Sequence, residues 1–378
     1  MEKEKPVRIP VRKFSSVDEN TISQKVEELQ AAGVIEPSFS SWRCMPVIVN
    51  KKDDGKRMTI NYKPVNNQTV FDAFPLPVIE ELIPKLSKAV VFSKLDFSQF
   101  YHRIPLVSSD REKTAFFACG KLWEYTRVPF SLKNAAAACS RIMNNIFSNI
   151  KNCVVYLDDI LIFGANREDH DKALFQVFEK IRYHNLSLNP KKCSFCESSI
   201  DFLGFKASDG KVMPTEERIT SVNNFPLPGD LKSLERFIGM STYFGKFVQH
   251  FSSLISPLQA KKRSLLEGNT RKANPSIEFY TDIEKESFEG IKSELSSVVL
   301  TIPSDDDELI LRTDASGTCL AAVLMTSDGK PVSFLSRVLT QAEKNYDIVE
   351  REALAIYWGI KRCKLFLLGR RFKVYSDH

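Results

Sequence analysis

Two adjacent aspartates, Asp158 and Asp159, sit between two strongly apolar runs, Cys153–Tyr156 and Ile160–Phe163. Neighbouring carboxylates repel and burial raises their pKa, so placing both there costs free energy. A divalent cation removes that cost, and Mg²⁺ suits a site of few carboxylates completed by phosphate oxygens of a substrate. A tight turn would also project the two side chains beyond the strand ends. Asp96 has the same character, because it closes the run Val90-Val91-Phe92-Ser93-Lys94-Leu95. A strand-end aspartate together with an Asp-Asp hairpin fits two-metal phosphoryl transfer, one ion activating an attacking hydroxyl and the other stabilising the leaving group. Taken singly, each residue also fits a solvated turn or an ordinary strand end.

The surrounding pattern supplies elements to hold these residues. A helix is expected from about Asp18 to Ala32, with Ile22, Val26 and Leu29 on one face and Gly33 as its stop. Pro46–Asn50 and Arg57–Tyr62 read as strands around Asp53-Asp54-Gly55, and Thr114–Cys119 and Leu122–Arg127 as strands around Gly120-Lys121. Strand Val90–Leu95 leads to Asp96, and residues 132–149 are Ala-rich and helical. A helix from about Arg167 to His184 carries Leu174, Val177, Phe178 and Ile181 on one face. Strands follow at Leu186–Leu188, Ser194–Phe195 and Ile200–Phe205, then helices over 215–261 broken at Pro226, Pro228 and Pro257. Residues 261–282 read as a linker and Glu284–Ser296 as a helix. After Pro303 come strands Leu309–Thr313, Cys319–Thr326 and Pro331–Arg337, a helix over Tyr346–Phe366 and a strand at Phe372–Ser376. The pattern is that of an α/β chain with a boundary near 300.

The chain has 378 residues, long enough for two or three domains, and is 43% hydrophobic. No apolar run approaches the roughly 18 residues of a membrane span, and the N-terminus is charged, so no membrane partner and an intracellular, unsecreted protein are expected. The formal charge of +6 suits a polyanion partner. Of the eight cysteines only Cys193 and Cys196 have metal-like spacing, and nothing completes a zinc set, so reduced structural thiols are expected.

Tyr156-Leu157-Asp158-Asp159 resembles the YxDD signature of reverse transcriptases, and Phe92-Ser93-Lys94-Leu95-Asp96-Phe97-Ser98-Gln99-Phe100-Tyr101-His102-Arg103-Ile104 resembles the corresponding segment of Ty3/gypsy-type LTR retrotransposon and retroviral Pol polyproteins. The resemblance runs in order from about Lys5 to the C-terminus. It implies an α/β (α+β) right-hand polymerase, with fingers and palm over 1–213, thumb and linker over 214–300, and a partial RNase H-like domain over 301–378. The implied activity is RNA-directed DNA polymerisation, adding deoxynucleoside triphosphates to an RNA or DNA template-primer with two Mg²⁺ ions, for which Mn²⁺ can substitute. A dimer or a parent polyprotein, in a cytoplasmic particle or the nucleus, is the implied setting. The alternative is a degenerate or co-opted retroelement protein that binds nucleic acid without polymerising.

The resemblance also implies roles. Asp96 and Asp158 would be the main metal ligands and Asp159 the third carboxylate. Phe97 would offer its backbone carbonyl to the metal, and Tyr101 would be the aromatic that excludes a ribose 2′-hydroxyl. Arg57, and Lys52 beside it, would hold the incoming triphosphate; Lys51 and Lys56 share their hairpin. Pro129, in Val128-Pro129-Phe130-Ser131-Leu132-Lys133-Asn134-Ala135, would lie near nucleotide and template. Phe202-Leu203-Gly204 would form the strand supporting the primer end. Leu231, Leu234, Phe237 and Ile238 would be thumb core, with Lys232, Arg236 and Lys246 near phosphates. Asp314, Glu352 and Asp377 match the first three RNase H carboxylates; a fourth has no counterpart, which implies an inactive module or a fragment of a longer polyprotein. Some positions depart from the pattern: Lys56 replaces Trp, Phe100 a small residue, Ser131 a Gly, Ala136 a Pro and Cys139-Ser140 a Phe-Gln pair. Of these, Phe100 is expected to narrow the nucleotide pocket.

Overall fold

The computed structural model describes residues 5–50, 55–77, 79–267, 273–295 and 299–376. They divide into two compact units. One contains Met1–Pro77, Lys94–Ile162 and Lys172–Phe195, and the other Val78–Ser93, Phe163–Asp171 and Cys196–His378.

In the first unit, helix Ser16–Ala31 starts where the Ser15 hydroxyl accepts the Asp18 N–H at 3.2 Å, satisfying one free amide of the first turn. It ends before Gly33, at φ +66°, a left-handed position that glycine occupies without steric penalty. Its buried stripe of Ile22, Val26 and Leu29 joins Trp42, Phe116 and Trp123 in one core. That core also carries the hairpin Pro46–Asn50 with Lys56–Ile60 and the sheet ordered Ile35–Pro37, Lys121–Tyr125, Phe116–Ala118. A second core gathers Leu95, Phe97, Met143, Ile160 and Val177 from strands and from helices Ala135–Phe147 and Arg167–Tyr183. The site grows on the end of strand Val91–Asp96 and on the antiparallel hairpin of Cys153–Tyr156 with Asp159–Gly164. Ile160, Leu161 and Ile162 are fully buried, so this strand cannot slip by one residue without turning its whole set of side chains over.

The second unit holds an antiparallel sheet of Ser199–Phe202, Phe205–Ser208, Lys211–Pro214 and Leu300–Thr301. The single strand expected over Ile200–Phe205 is two strands here. Leu203 (φ +55°) and Gly204 (φ +84°) make a two-residue turn, with Phe202 paired to Phe205 across it. Helices Glu216–Asn223, Leu231–Tyr243, Phe251–Leu266 and Asp282–Leu295 follow. Leu231, Leu234, Phe237 and Ile238 are buried, as the pattern implies. Pro257 does not break its helix, and the start of the expected linker is still helical to Leu266. Burial of Ile255 and Leu258 outweighs the hydrogen bond the proline removes.

The remaining sheet is ordered Pro331–Val338, Cys319–Thr326, Leu309–Ala315, Phe372–Tyr375, and its last pair is parallel. Helix Ile348–Arg362 packs on it at Gly359, where a Cβ would lie 3.3 Å from Ala322 and Leu311.

Candidate active site

Tyr156 pairs with Asp159 as the last rung of the hairpin, so Leu157 and Asp158 form the turn itself. Leu157 has φ +55°, a strained value for a branched residue, at the first central position of the turn. The turn therefore holds Asp158 at its tip, while Asp159 begins the buried strand. Asp96 ends the adjacent strand. Next to it, the Ser98 N–H donates to the Ser187 carbonyl and the Asn189 N–H to the Asp96 carbonyl, both at 2.9 Å. These two bonds flank an antiparallel Phe97–Leu188 bridge, which directs the carbonyl of Phe97 away from Leu188. The Phe97 ring is buried, 5.7 Å from Phe100 and 6.2 Å from Phe147.

Lysines supply the counter-charge at this cluster. Lys192 Nζ lies 3.5 Å from Asp96 Oδ2, and Lys94 Nζ lies 3.7 Å from Asp159 Oδ2. Burial still raises the Asp159 carboxyl above its ordinary value; Lys94 opposes the shift, and Asp158 and Asp96 add to it. A carboxyl raised in this way binds its proton more tightly when folded than when unfolded. The wild type therefore loses stability as pH rises from the ordinary value through the raised one. Asp159→Asn is expected to melt higher than the wild type at neutral pH in chelator, and the gap should close as pH falls toward 4. Thermal melts across that range check it; a gap that widens in acid contradicts it.

One cleft of about 710 Å³ in the first unit is lined by Asp96, Asp158, Tyr101, Arg57, Phe130 and Lys192, among others; Asp159 does not line it. The Arg57 guanidinium carbon lies 4.6 Å from the centre of the Phe130 ring. Tyr101 packs on the same ring at 5.1 Å, and burial, with Cys139 and Asp158 nearby, keeps its phenol protonated. Phe100 is 2% exposed and packs in the core, and it also lines this cleft. Lys56 is paired with Asp18 at 2.6 Å. Lys51 and Lys52 lie outside the described residues. Pro129 is buried, and its neighbour Phe130 reaches the cleft.

The unusual Ser131 has φ +73°, a left-handed conformation. That costs an L-residue about 1–2 kcal/mol, which glycine's extra chain entropy of about 0.5–1 kcal/mol offsets only in part. Ser131→Gly is accordingly expected to stabilise the protein by roughly 0.5 kcal/mol. The check is a denaturant midpoint that rises with an unchanged slope. Ala136 falls in the first turn of helix Ala135–Phe147, where proline and alanine both fit. Cys139 is fully buried in that helix, and burial, with Asp158 nearby, pushes its thiol up to about 12.

In the second unit, the Leu203 carbonyl accepts the Tyr243 hydroxyl at 2.9 Å. Phe205 stacks on Tyr243 and Phe247 at 5.3 and 5.7 Å, with Lys246 Nζ 4.3 Å from its ring centre. Phe202 is buried, Lys232 and Arg236 are exposed, and a Cβ on Gly204 would meet the Arg218 side chain only at 3.6 Å. The glycine thus serves the turn's positive φ rather than close packing.

Residues 49–207 match the family model of reverse transcriptase (RNA-dependent DNA polymerase), and residues 280–374 match that of the RNase H-like domain found in reverse transcriptase. The Pol polyprotein of transposon 297 from Drosophila melanogaster is 33% identical over 373 residues, 97% of this chain. The chain belongs to the reverse transcriptase family. The gypsy Pol polyprotein, also from Drosophila melanogaster, is 31% identical across 94% of the chain. The chain spans 34% of the length of the first of these relatives and 36% of the second. In fold it is similar to foamy viral protease-reverse transcriptase, solved in complex with RNA/DNA hybrid (TM-score 0.86, 23% identity, all of this chain and 50% of that one) and with dsDNA (0.87, 23%, 78% of that one). Among the described residues no helix is long and apolar enough to cross a membrane.

The donor set of this reverse transcriptase family chain fits a hard divalent ion. Three carboxylates share one neighbourhood, one is raised toward its neutral form, and the nearest lysines stand at 3.5–3.7 Å. His170, Asp171 and Cys196 also bring donors within 4.8 Å of one another. Both ring nitrogens of His170 are already used there, by Ser93 and Asp171 at 2.8 Å, and Arg167 holds Asp171. In the RNase H-like segment Glu352 is 5% exposed and accepts from the Ala315 N–H at 3.2 Å and the Ser376 hydroxyl at 3.0 Å; Asp314 is exposed on the strand beside Ala315. Asp377 lies outside the described residues. Glu350 is used in the capping box with Asp347. Sequence reasoning missed Lys94, Lys192, His102 and Phe130 as members of the site. Lys94 had a local signal, two residues before Asp96 and so on the same strand face, and Phe130 stood beside Pro129 in the element expected near nucleotide and template.

Proposed function

We propose that this chain is an RNA-directed DNA polymerase that adds deoxynucleotides to a primer 3′ end on an RNA or DNA template. One observation carries the reading: Asp96 and Asp158 line the same cleft as Tyr101, Arg57 and Phe130. Carboxylates for metal binding, an aromatic to test the sugar and a guanidinium to meet phosphate are thus gathered in one place. Asp96 and Asp158, with Asp159 behind them and the Phe97 carbonyl, would hold two Mg²⁺ ions. When bound, those ions supply charge stabilisation for the attacking and leaving oxygens. Tyr101 meets the sugar face and excludes a 2′-hydroxyl. Arg57, fixed over Phe130, orients the triphosphate through a planar fork that lysine lacks. Lys192 offsets negative charge beside Asp96. Residues 1–213 serve as fingers and palm, 214–300 as thumb and linker, and 301–378 as an RNase H-like segment. In the thumb, Lys232 and Arg236 meet backbone phosphate without regard to sequence.

Primer extension on an RNA template tests this reading. With Mg²⁺ and deoxynucleotides the product should be full-length complementary DNA, and with ribonucleotides alone extension should be weak. Retention of template-primer without extension would instead mark a nucleic-acid-binding relic, and preferred ribonucleotide incorporation would mark an RNA polymerase.

A further inference from the structure

His102 lies in the cleft wall, next in sequence to Tyr101, and had no role in the reading above. Its ring stands edge-on to Phe130, with centroids 5.3 Å apart and planes at 65°, and lies 6.2 Å from Tyr125. Nδ1 lies 3.3 Å from Oε1 of Gln99, at the start of the same short turn. Burial, with Lys25 and Arg57 nearby, pushes the imidazole down to about 4, so at neutral pH it packs as an uncharged aromatic ring. Phe130 is therefore touched by three groups: His102 at 5.3 Å, Tyr101 at 5.1 Å and Arg57 at 4.6 Å. Phe130 is only partly buried, so its ring position depends on these neighbours. Tyr101 and Arg57 are the two groups that would touch nucleotide, and both rest on it.

We propose that His102 is a positioning residue for sugar selection: anchored to Gln99 and edge-on to Phe130, it fixes the ring against which Tyr101 is held. It acts through Phe130 and touches no substrate. This rests on the polymerase reading, because only there does Tyr101 discriminate between sugars. An edge-to-face contact raises the population of one ring position rather than creating it, so the effect belongs in selectivity more than in fold.

The test compares kcat/KM for a deoxynucleotide and its ribonucleotide counterpart within one preparation, on an RNA template. A ratio taken this way does not depend on the folded fraction. His102→Ala is expected to lower the deoxy-to-ribo preference by about three- to tenfold, the factor represented by one aromatic contact. His102→Phe, which keeps the ring edge, should restore most of it. Equal losses for both nucleotides, or no rescue by phenylalanine, overturn the proposal and leave the polymerase reading intact. A wild-type chain that extends no primer overturns both.

Discussion

Asp158→Asn is expected to lower deoxynucleotide incorporation on the order of a hundred- to a thousandfold, the scale on which one preorganised charge at a transition state acts. The side chain sits at the tip of a two-residue turn, and its charge faces Asp96, Asp159 and the cleft rather than a structural partner. Asparagine keeps its shape and removes one source of repulsion on the raised Asp159 carboxyl. The melting temperature should therefore hold or rise while the rate collapses. Single-turnover incorporation and a thermal melt on one preparation measure both. A rate loss accompanied by unfolding would show that the turn is structural.

Tyr101→Ala should have the second large effect. Removing the ring opens the sugar side of the cleft, and ribonucleotide incorporation relative to deoxynucleotide should rise by about ten- to a hundredfold, the range over which a pocket rejects an added hydroxyl. Tyr101→Phe should leave selection near the wild-type level, because the flat ring is the part that clashes. Combined with His102→Ala, the alanine change should be less than additive, since His102 acts through Phe130 on the Tyr101 ring that has been removed. A Tyr101→Ala chain that still rejects ribonucleotides would place the gate elsewhere.

Much of this site was legible before any coordinates. The strand Cys153–Tyr156 was readable because four apolar and aromatic residues end sharply at a charged turn, and the structure has those same bounds. Helix Ser16–Ala31 was visible through its stripe and Gly33. The hairpin at Leu203-Gly204 was hidden because Phe202 and Phe205 flank it, so the run reads as one apolar strand. Leucine at positive φ, here and at 157, leaves no trace in composition. Pro257 misled in the opposite direction, since a local rule was outweighed by burial of the helix face. Phe100 packs its ring against Phe97 and also lines the cleft. Lys192 joins the site only through contacts between residues far apart in the chain: Lys192 and Asp96 are separated by 96 positions.

The central claim is that Asp96 and Asp158 hold the metal that drives nucleotide addition. Its most direct test is addition of a single deoxynucleotide to a preformed RNA-template complex, run with and without Mg²⁺, for the wild type and Asp158→Asn side by side. The account predicts addition by the wild type only when the metal is present, and almost none by the variant at any metal concentration. Addition by the wild type in chelator, or by Asp158→Asn at the wild-type rate, would contradict it.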